Sequence, residues 1–454
     1  MAVLLWFCSF LRADRGSPRI TEARCLVTRP RMALCSFLLF LSFPPSRVLL
    51  THRRSTKLRD ALHAEVTALG ATSLGEWGLY DCTAPALDGM QELLLRAAAA
   101  RLLLAPLAAC DSLATLLPKV RALSLRESCG WRLRLEDLSP PEDDAPRNAA
   151  LCALAQLIEG EPALTAAEGD GAAVSSLILL RGSTVGYVLA RVTAAQPEAL
   201  RLDGQTAQAW RSRPFKFEAA SDFALARVAL SLCGAEPGRH TVFDPCSGSG
   251  TLLYAAATLG LEACGLDINE RMVVGASSNL AHALPQVMPP GHTPSPSPSS
   301  SQPSARLPSG SVSAGGGSRS LARQPAVELH DARLPFGSKV LARRLPSEGE
   351  AAARVRVVCN LPWGRSLALP DGDEPGSYLR DLLRGVARRV SGSRGCFIVG
   401  GAPAPAAATL EDAGYQVLST TPVGSRSPRA GETLGETRPP LCTLVVAIAP
   451  GTPV

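Results

Sequence analysis

No C-x-x-C pair occurs in this sequence, and its 13 cysteines are odd in number and scattered. Most sit inside apolar runs. This pattern excludes a zinc-ribbon framework and argues against a disulfide scaffold, so the thiols read as buried and reduced. Histidine is equally sparse: six residues with no ligand-like spacing, and no metal is expected. Long apolar runs are missing too. Ala2–Leu11 and Ala33–Phe43 are each about half the ~20 residues that span a bilayer, which disfavours a transmembrane anchor. A strong charge bias is also absent. The net charge of +6 permits a polyanionic partner such as nucleic acid without demanding one.

What is present is a long, apolar-rich chain. Its 454 residues, 46% of them hydrophobic, suit two or three domains with their own cores. Acids are scarce near the start. Arg12, Arg15, Arg19, Arg24, Arg29 and Arg31 lie between the two apolar runs; Arg47, Arg53, Arg54, Lys57 and Arg59 follow, with no acid from the second run until Asp60. An Arg- and Ser-bearing leader of this kind suits organelle import, and the apolar runs resemble the centre of a signal peptide. Residues 1–55 are therefore read as a disordered leader for a plastid or mitochondrion. The alternative is translation from Met32 or later and a cytoplasmic protein.

Short alternating segments follow. Lys57–Gly70 carries a helical apolar period at Leu58, Leu62, Val66 and Leu69. Met90–Leu104 and Leu113–Leu123 are expected as helices, Trp77–Tyr80 and Trp131–Leu135 as strands. A helix at Asn148–Ile158 and strands at Val174–Leu180 and Val185–Val192 complete a second small unit. Residues 56–128 and 129–200 thus read as two α+β modules.

From about residue 201 the order is regular. A helix at Phe217–Leu232 precedes strands expected at Thr241–Phe243, Glu262–Ile268, Ala326–Leu329, Val355–Cys359, Cys396–Val399, Tyr415–Thr420 and Leu441–Ala449. Helices alternate with most of them. This predicts an α/β fold with a seven-stranded, doubly wound, Rossmann-like sheet. The last two strands have no helix between them and are expected as an antiparallel edge hairpin. Residues 285–325 are Pro-, Ser- and Gly-rich, cannot bury a core, and read as a disordered insertion.

The chemistry centres on Thr241–Gly250, TVFDPCSGSG. A strand that hands over to a helix through glycines brings bare N–H groups and a positive helix end close to a ligand. A dinucleotide fingerprint would carry a third glycine where Leu253 stands, and its absence counts against NAD. Asp267 ends the next strand, where an acid can accept from two ribose hydroxyls. Asp331 follows the third strand. Asn360-Leu361-Pro362-Trp363 ends the fourth. This form resembles the catalytic motif of methyltransferases that modify exocyclic amines; a ring amine has its lone pair delocalised, so such a site must accept from its N–H groups and orient it. An Asn oxygen and a carbonyl fixed by proline can do that, and a tryptophan can stack on a flipped base.

The D-x-x-x-G-x-G run from Asp244 to Gly250 closely resembles the first motif of class I S-adenosylmethionine-dependent methyltransferases. N-L-P-W-G is similar to the catalytic motif of the guanosine-N2 RNA methyltransferases within that class. The segments ALHAEVTALGA and ELLLRAAAARLLL, and the Arg213-Pro214-Phe215 link, resemble the ferredoxin-like and THUMP-associated members, whose ribosomal K/L-like enzymes share this layout. The resemblance implies S-adenosylmethionine held by Asp244, Cys246, Gly248, Gly250, Asp267, Asp331 and Ala332. It implies catalysis through Asn360, Leu361, Pro362 and Trp363, with ribosomal or transfer RNA as partner. Lys57, Arg59, Arg96 and Arg101 are candidate RNA contacts, and Arg365 a candidate phosphate contact. An adenine-N6 or protein-amide methyltransferase, and a catalytically silent RNA-binding assembly factor, remain as alternatives.

Overall fold

The computed structural model describes residues 48–51, 58–75, 78–82, 94–112, 115–116, 118–119, 131–138, 175–182, 185–218, 220–287, 325–335, 344–346, 348–362, 374–425 and 440–451. The expected helix at 148–158, most of the Pro/Ser/Gly insertion, Lys57, Trp363 and Arg365 lie outside the described residues.

Two seven-stranded sheets organise the described chain. The first contains β1 (Val48–Thr51), β2 (Thr72–Ser73), β3 (Leu79–Asp81), β4 (Ala100–Cys110), β5 (Trp131–Asp137), β6 (Ser175–Gly182) and β7 (Gly186–Ala195), in the order β2-β3-β1-β4-β7-β6-β5. All its pairings are antiparallel except β5 with β6. The two stretches read as separate modules share this sheet, because β4 pairs with β7. Val48–Thr51, inside the stretch expected to be a disordered leader, form a strand between β3 and β4.

A second correction concerns Met90–Leu104. Among its described residues only Leu94–Arg96 are helical, and Ala100–Cys110 form the 11-residue strand β4. The run is apolar almost throughout, so it offers no helical or strand period to choose between. Interior position decides for the strand, since β4 is flanked by β1 and β7 and has most residues buried. Pro106 cannot donate to the ladder, and the register shifts between Pro106 and Ala108.

The second sheet contains β8 (Thr241–Asp244), β9 (Glu262–Asp267), β10 (Ala326–Leu329), β11 (Val355–Asn360), β12 (Arg394–Gly400), β13 (Gln416–Ser425) and β14 (Pro440–Ile448). The order is β10-β9-β8-β11-β12-β14-β13. The first five run parallel; β14 is antiparallel to both β12 and β13. The expected sheet and its antiparallel hairpin are both present. Strand residues alternate between two cores, as period two requires. Val242, Ala263, Val358, Ile398 and Leu444 face one core; Phe243, Cys264, Val357, Phe397 and Val445 face the other. Helices Phe223–Leu232 and Thr251–Thr258 cover the first face, Pro375–Arg389 and Pro403–Glu411 the second.

The core under Phe223–Leu232 also contains Ala61, Leu62, Val66 and Ala97–Ala100. The N-terminal sheet and the second sheet are thus bound through one continuous apolar cluster. Glu65 is fully buried within it. Its carboxylate accepts from the N–H groups of Ala98 at 2.7 Å and Ala99 at 2.8 Å. Burial pushes its carboxyl up to about 7, against the opposing pull of those bonds, Ser231 and Arg227. Because the folded value exceeds the unfolded one, this group's stability contribution is fully present below about 4.5 and is lost as pH rises toward 7. The full loss is about 3 to 4 kcal/mol. Thermal denaturation of Glu65→Gln between pH 5 and 8 should show a flatter pH dependence than wild type; an unchanged slope would contradict this assignment.

Candidate active site

The parallel strands all deliver their carboxyl ends to one edge of the sheet, the usual ligand edge of such folds. Four expected residues arrive there because they end strands or follow them directly: Asp244 on β8, Asp267 on β9, Asp331 after β10, and Asn360 on β11. The connecting loops are stitched together. The N–H of Ser247 donates to the Leu266 carbonyl at 2.7 Å, and that of His330 to the Asp267 carbonyl at 2.9 Å.

The glycine turn depends on its glycines. Gly248 has φ of 51° and Gly250 of 86°, the left-handed region that side chains resist. Gly250 is the N-cap of helix Thr251–Thr258. A Cβ on Gly250 would meet the Cβ of Ala276 at 3.2 Å, so this turn is wedged against helix Glu270–Ala283; a Cβ on Gly248 would meet nothing nearer than 4.0 Å. Gly248 therefore faces open space where a ligand can approach the backbone.

Asp244 is fully buried. One oxygen accepts from the Cys246 N–H at 3.1 Å. The other, Oδ2, is buried without a partner among the described residues. Burial pushes this carboxyl well above its ordinary range; the Cys246 N–H opposes that and the neighbouring Asp267 adds to it. An orphaned carboxylate oxygen is costly unless a donor or cation meets it, and the ammonium of an amino-acid-bearing cofactor fits that need. Asp267 accepts from Gly248 N–H at 2.8 Å and Asn269 N–H at 2.9 Å. Burial raises its carboxyl, with those bonds opposing. Asp267 thereby holds the glycine turn itself, a duty its sequence position did not reveal.

Asp331 is engaged by its neighbour. The Arg333 guanidinium reaches it at 2.7 Å from Nη2 and 2.9 Å from Nε, and the Arg333 N–H donates at 2.9 Å. Burial would raise this carboxyl, but the Arg333 bonds outweigh it and hold it below the usual range. Arg333 in turn lies over the ring of Tyr378, 4.7 Å from its centre. Ala332 is buried, and its carbonyl would be struck by a Cβ on Gly385, so helix Pro375–Arg389 abuts this loop's backbone.

Asn360 is half-buried at the end of β11 and Leu361 is buried. The Leu361 N–H donates to the Ile398 carbonyl on β12 at 3.0 Å, which fixes the backbone at Leu361. Pro362 is half-buried and Trp363 lies outside the described residues. Cys246 packs against the core that contains Cys359.

Two residues with structural duties at this site escaped the sequence reading. Asn279 is fully buried. It accepts from the Phe215 N–H and donates to the Phe215 and Ser249 carbonyls, at 2.9, 2.9 and 3.0 Å. It therefore ties the link between the two sheets to the glycine turn. An amide within an apolar helix face was the available signal. Gly265 is the other: a Cβ there would sit 2.9 Å from Ser247 and Leu253 side-chain carbons. Among the described residues no group of His, Cys, Asp and Glu could hold a metal. A cavity of about 370 Å³, lined by none of the site residues named above, is bordered by Leu62, Trp210, Arg213 and Phe223.

Fold and site together define a doubly wound α/β domain with a strand-to-helix glycine turn and an acid at or just past the end of each of three successive strands. Residues 211–288 match the family model UPF0020, the RMKL-like methyltransferase domain. A tRNA (guanine(10)-N2)-dimethyltransferase of Methanothermobacter thermautotrophicus is 37% identical over 70 residues, 15% of this chain and 20% of that protein. The chain thus spans about a fifth of the length of this curated relative. A predicted N6-adenine-specific DNA methylase from Listeria monocytogenes is 13% identical with a TM-score of 0.41, over 91% of this chain and 98% of that one. A possible methylase from Clostridium difficile is 13% identical with a TM-score of 0.44, over 90% and 99%.

Proposed function

We propose that this chain is an S-adenosylmethionine-dependent methyltransferase that modifies an exocyclic base amine in RNA, namely guanosine N2 of transfer or ribosomal RNA. The observation that carries the reading is the orphaned, fully buried Asp244 Oδ2 beneath the glycine turn, at the same sheet edge as Asp267, Asp331 and Asn360. The segment match to an RMKL-like methyltransferase domain and the likeness to a guanine-N2 enzyme support it.

Asp244 would meet the cofactor's ammonium, Asp267 its ribose hydroxyls, and the loop Asp331–Ala332 its adenine. Bound there, S-adenosylmethionine supplies an electrophilic methyl group. The chain's own contribution is orientation. The Asn360 side-chain oxygen and the Leu361 carbonyl accept from the amine N–H groups and turn its lone pair toward the methyl. With its N–H held by Ile398 and its successor a proline, Leu361 keeps that carbonyl fixed.

The test is incubation of RNA from cells lacking the protein with purified enzyme and labelled cofactor, followed by nucleoside mass spectrometry. N2-methylguanosine or its dimethyl form is expected. N6-methyladenosine alone would overturn the base assignment, and absence of cofactor binding by calorimetry would favour a silent RNA-binding factor.

A further inference from the structure

The amino ends of the same strands carry a charge arrangement that the chemistry above leaves unused. Arg356 on β11 and Arg394 on β12 are direct register partners, so two guanidinium stems rise from neighbouring strands about 4.8 Å apart. Like charges directly opposed in a sheet are destabilising. Neither arginine has a carboxylate within ion-pair distance among the described residues. Arg356 donates to the Val355 carbonyl at 2.9 Å, and Arg394 to the Leu232 carbonyl at 3.0 Å. The Nε of each is buried without a partner.

Two more arginines stand nearby, and both bond the same acid. Arg239 and Arg96 both bond Glu236, each at 3.2 Å. Arg239 has 69% of its side chain exposed. His240 adds no charge: it is buried, its Nδ1 accepts from the Glu236 N–H at 3.0 Å, and burial together with Arg356 pushes it down to about 4. Its Nε2 is also buried and unpartnered. Arg96, Arg239 and Arg356 thus gather around Glu236, beside buried donors left unsatisfied among the described residues. Arg96 comes from the N-terminal part and the other three from the second sheet's domain, so the cluster straddles the junction.

We propose that Arg239, Arg356 and Arg394, with Arg96 at the margin, form a phosphate-binding site for the backbone of the substrate RNA. Guanidinium groups offer planar, multiple donors matched to phosphate oxygens. A phosphodiester reaching the outer guanidinium nitrogens relieves the Arg356–Arg394 repulsion. The site lies at the strand ends opposite Asn360, about 13 Å away along β11. A contact at that distance positions a polynucleotide without reading its sequence. The inference rests on the RNA reading above and adds to it where the RNA is gripped.

The test is the salt dependence of binding to an unmodified transfer RNA transcript, with S-adenosylmethionine affinity measured in parallel. The double variant Arg356→Gln, Arg394→Gln should bind about tenfold more weakly near 0.1 M salt, and its log–log salt slope should fall by 1 to 2, as expected for about two lost phosphate contacts. Lysine at both positions should recover most of the slope. Arg239→Gln, an exposed change, should lose affinity in the same direction and keeps the test open should the double variant fail to fold. Cofactor affinity should not change in any variant. Unchanged slopes in both the double variant and Arg239→Gln, with the wild type methylating RNA, would overturn this site and leave the enzymatic reading intact. Wild type that neither binds nor methylates RNA fails that reading instead. Inorganic phosphate that raises the wild-type melting temperature while the RNA slopes stay equal would mark a free-anion site and overturn the RNA assignment.

Discussion

Asp244→Asn should weaken S-adenosylmethionine binding about a hundredfold and, at neutral pH, raise the melting temperature of the ligand-free protein. The two effects share one cause. The Asp244 carboxyl is fully buried, has one oxygen without a partner, and is pushed well above its ordinary range by that burial. A folded value above the unfolded one means its stability contribution is present at low pH and lost as pH rises above 3.8 toward the folded value. Asparagine keeps the shape, removes the titration, and so lifts the neutral-pH penalty. Binding responds in the opposite direction. A cationic ammonium gains a buried, charge-assisted bond from the carboxylate, and losing such a bond costs roughly 3 kcal/mol. Calorimetry in two buffers of different ionisation enthalpy should also detect proton release on binding to wild type, and none to Asp244→Asn. Equal cofactor affinity in the two proteins would remove Asp244 from the ammonium site.

Asn360→Ala should reduce turnover by at least about a thousandfold while leaving cofactor affinity within about threefold of wild type. In the proposed reaction the asparagine oxygen acts on the amine, and removing one preorganised hydrogen-bonding group from a reacting centre commonly costs 10²–10³ in kcat. The loss should exceed that range because the oxygen also sets the direction of the lone pair. Leu361 should hold its place, since its N–H bond to Ile398 is independent of the Asn360 side chain. Single-turnover kinetics with saturating cofactor read the chemical step directly. A collapse of cofactor binding in this variant would relocate Asn360 to the cofactor pocket.

The second sheet was legible because its strands are short, apolar and bounded by punctuation, and because chemistry-bearing residues end them. Asp244, Asp267 and Asn360 are strand ends and Asp331 lies two residues after β10, so each could be located once the strands were. What remained hidden depended on non-local packing. Ala100–Cys110 is helix-like in composition but becomes a strand because β1 and β7 flank it, which no local window reveals. Val48–Thr51 looked like leader sequence because its partners at Leu79–Asp81 and Ala100–Leu104 are far along the chain. The Arg333 hold on Asp331 and the Asn279 tie to Phe215 are side-chain choices among several open to those residues. The Arg356–Arg394 adjacency requires the strand register, which spacing alone does not fix.

The order of β13 and β14 has a consequence for biosynthesis. β13 is made before β14 but, among the described strands, pairs only with it, and β14 lies between β12 and β13. While a ribosome is still producing residues 440–448, β12 presents an open edge carrying Cys396, Phe397, Ile398 and Val399, and β13 has no ladder to join. Exposed edges of that kind recruit other chains. The ligand edge at Asn360 and Leu361 rests on β12 through Ile398. Competence at that edge should therefore come late, after the strand that seals β12 has emerged, and a chaperone that covers an apolar strand edge is the assistance this nascent chain would need.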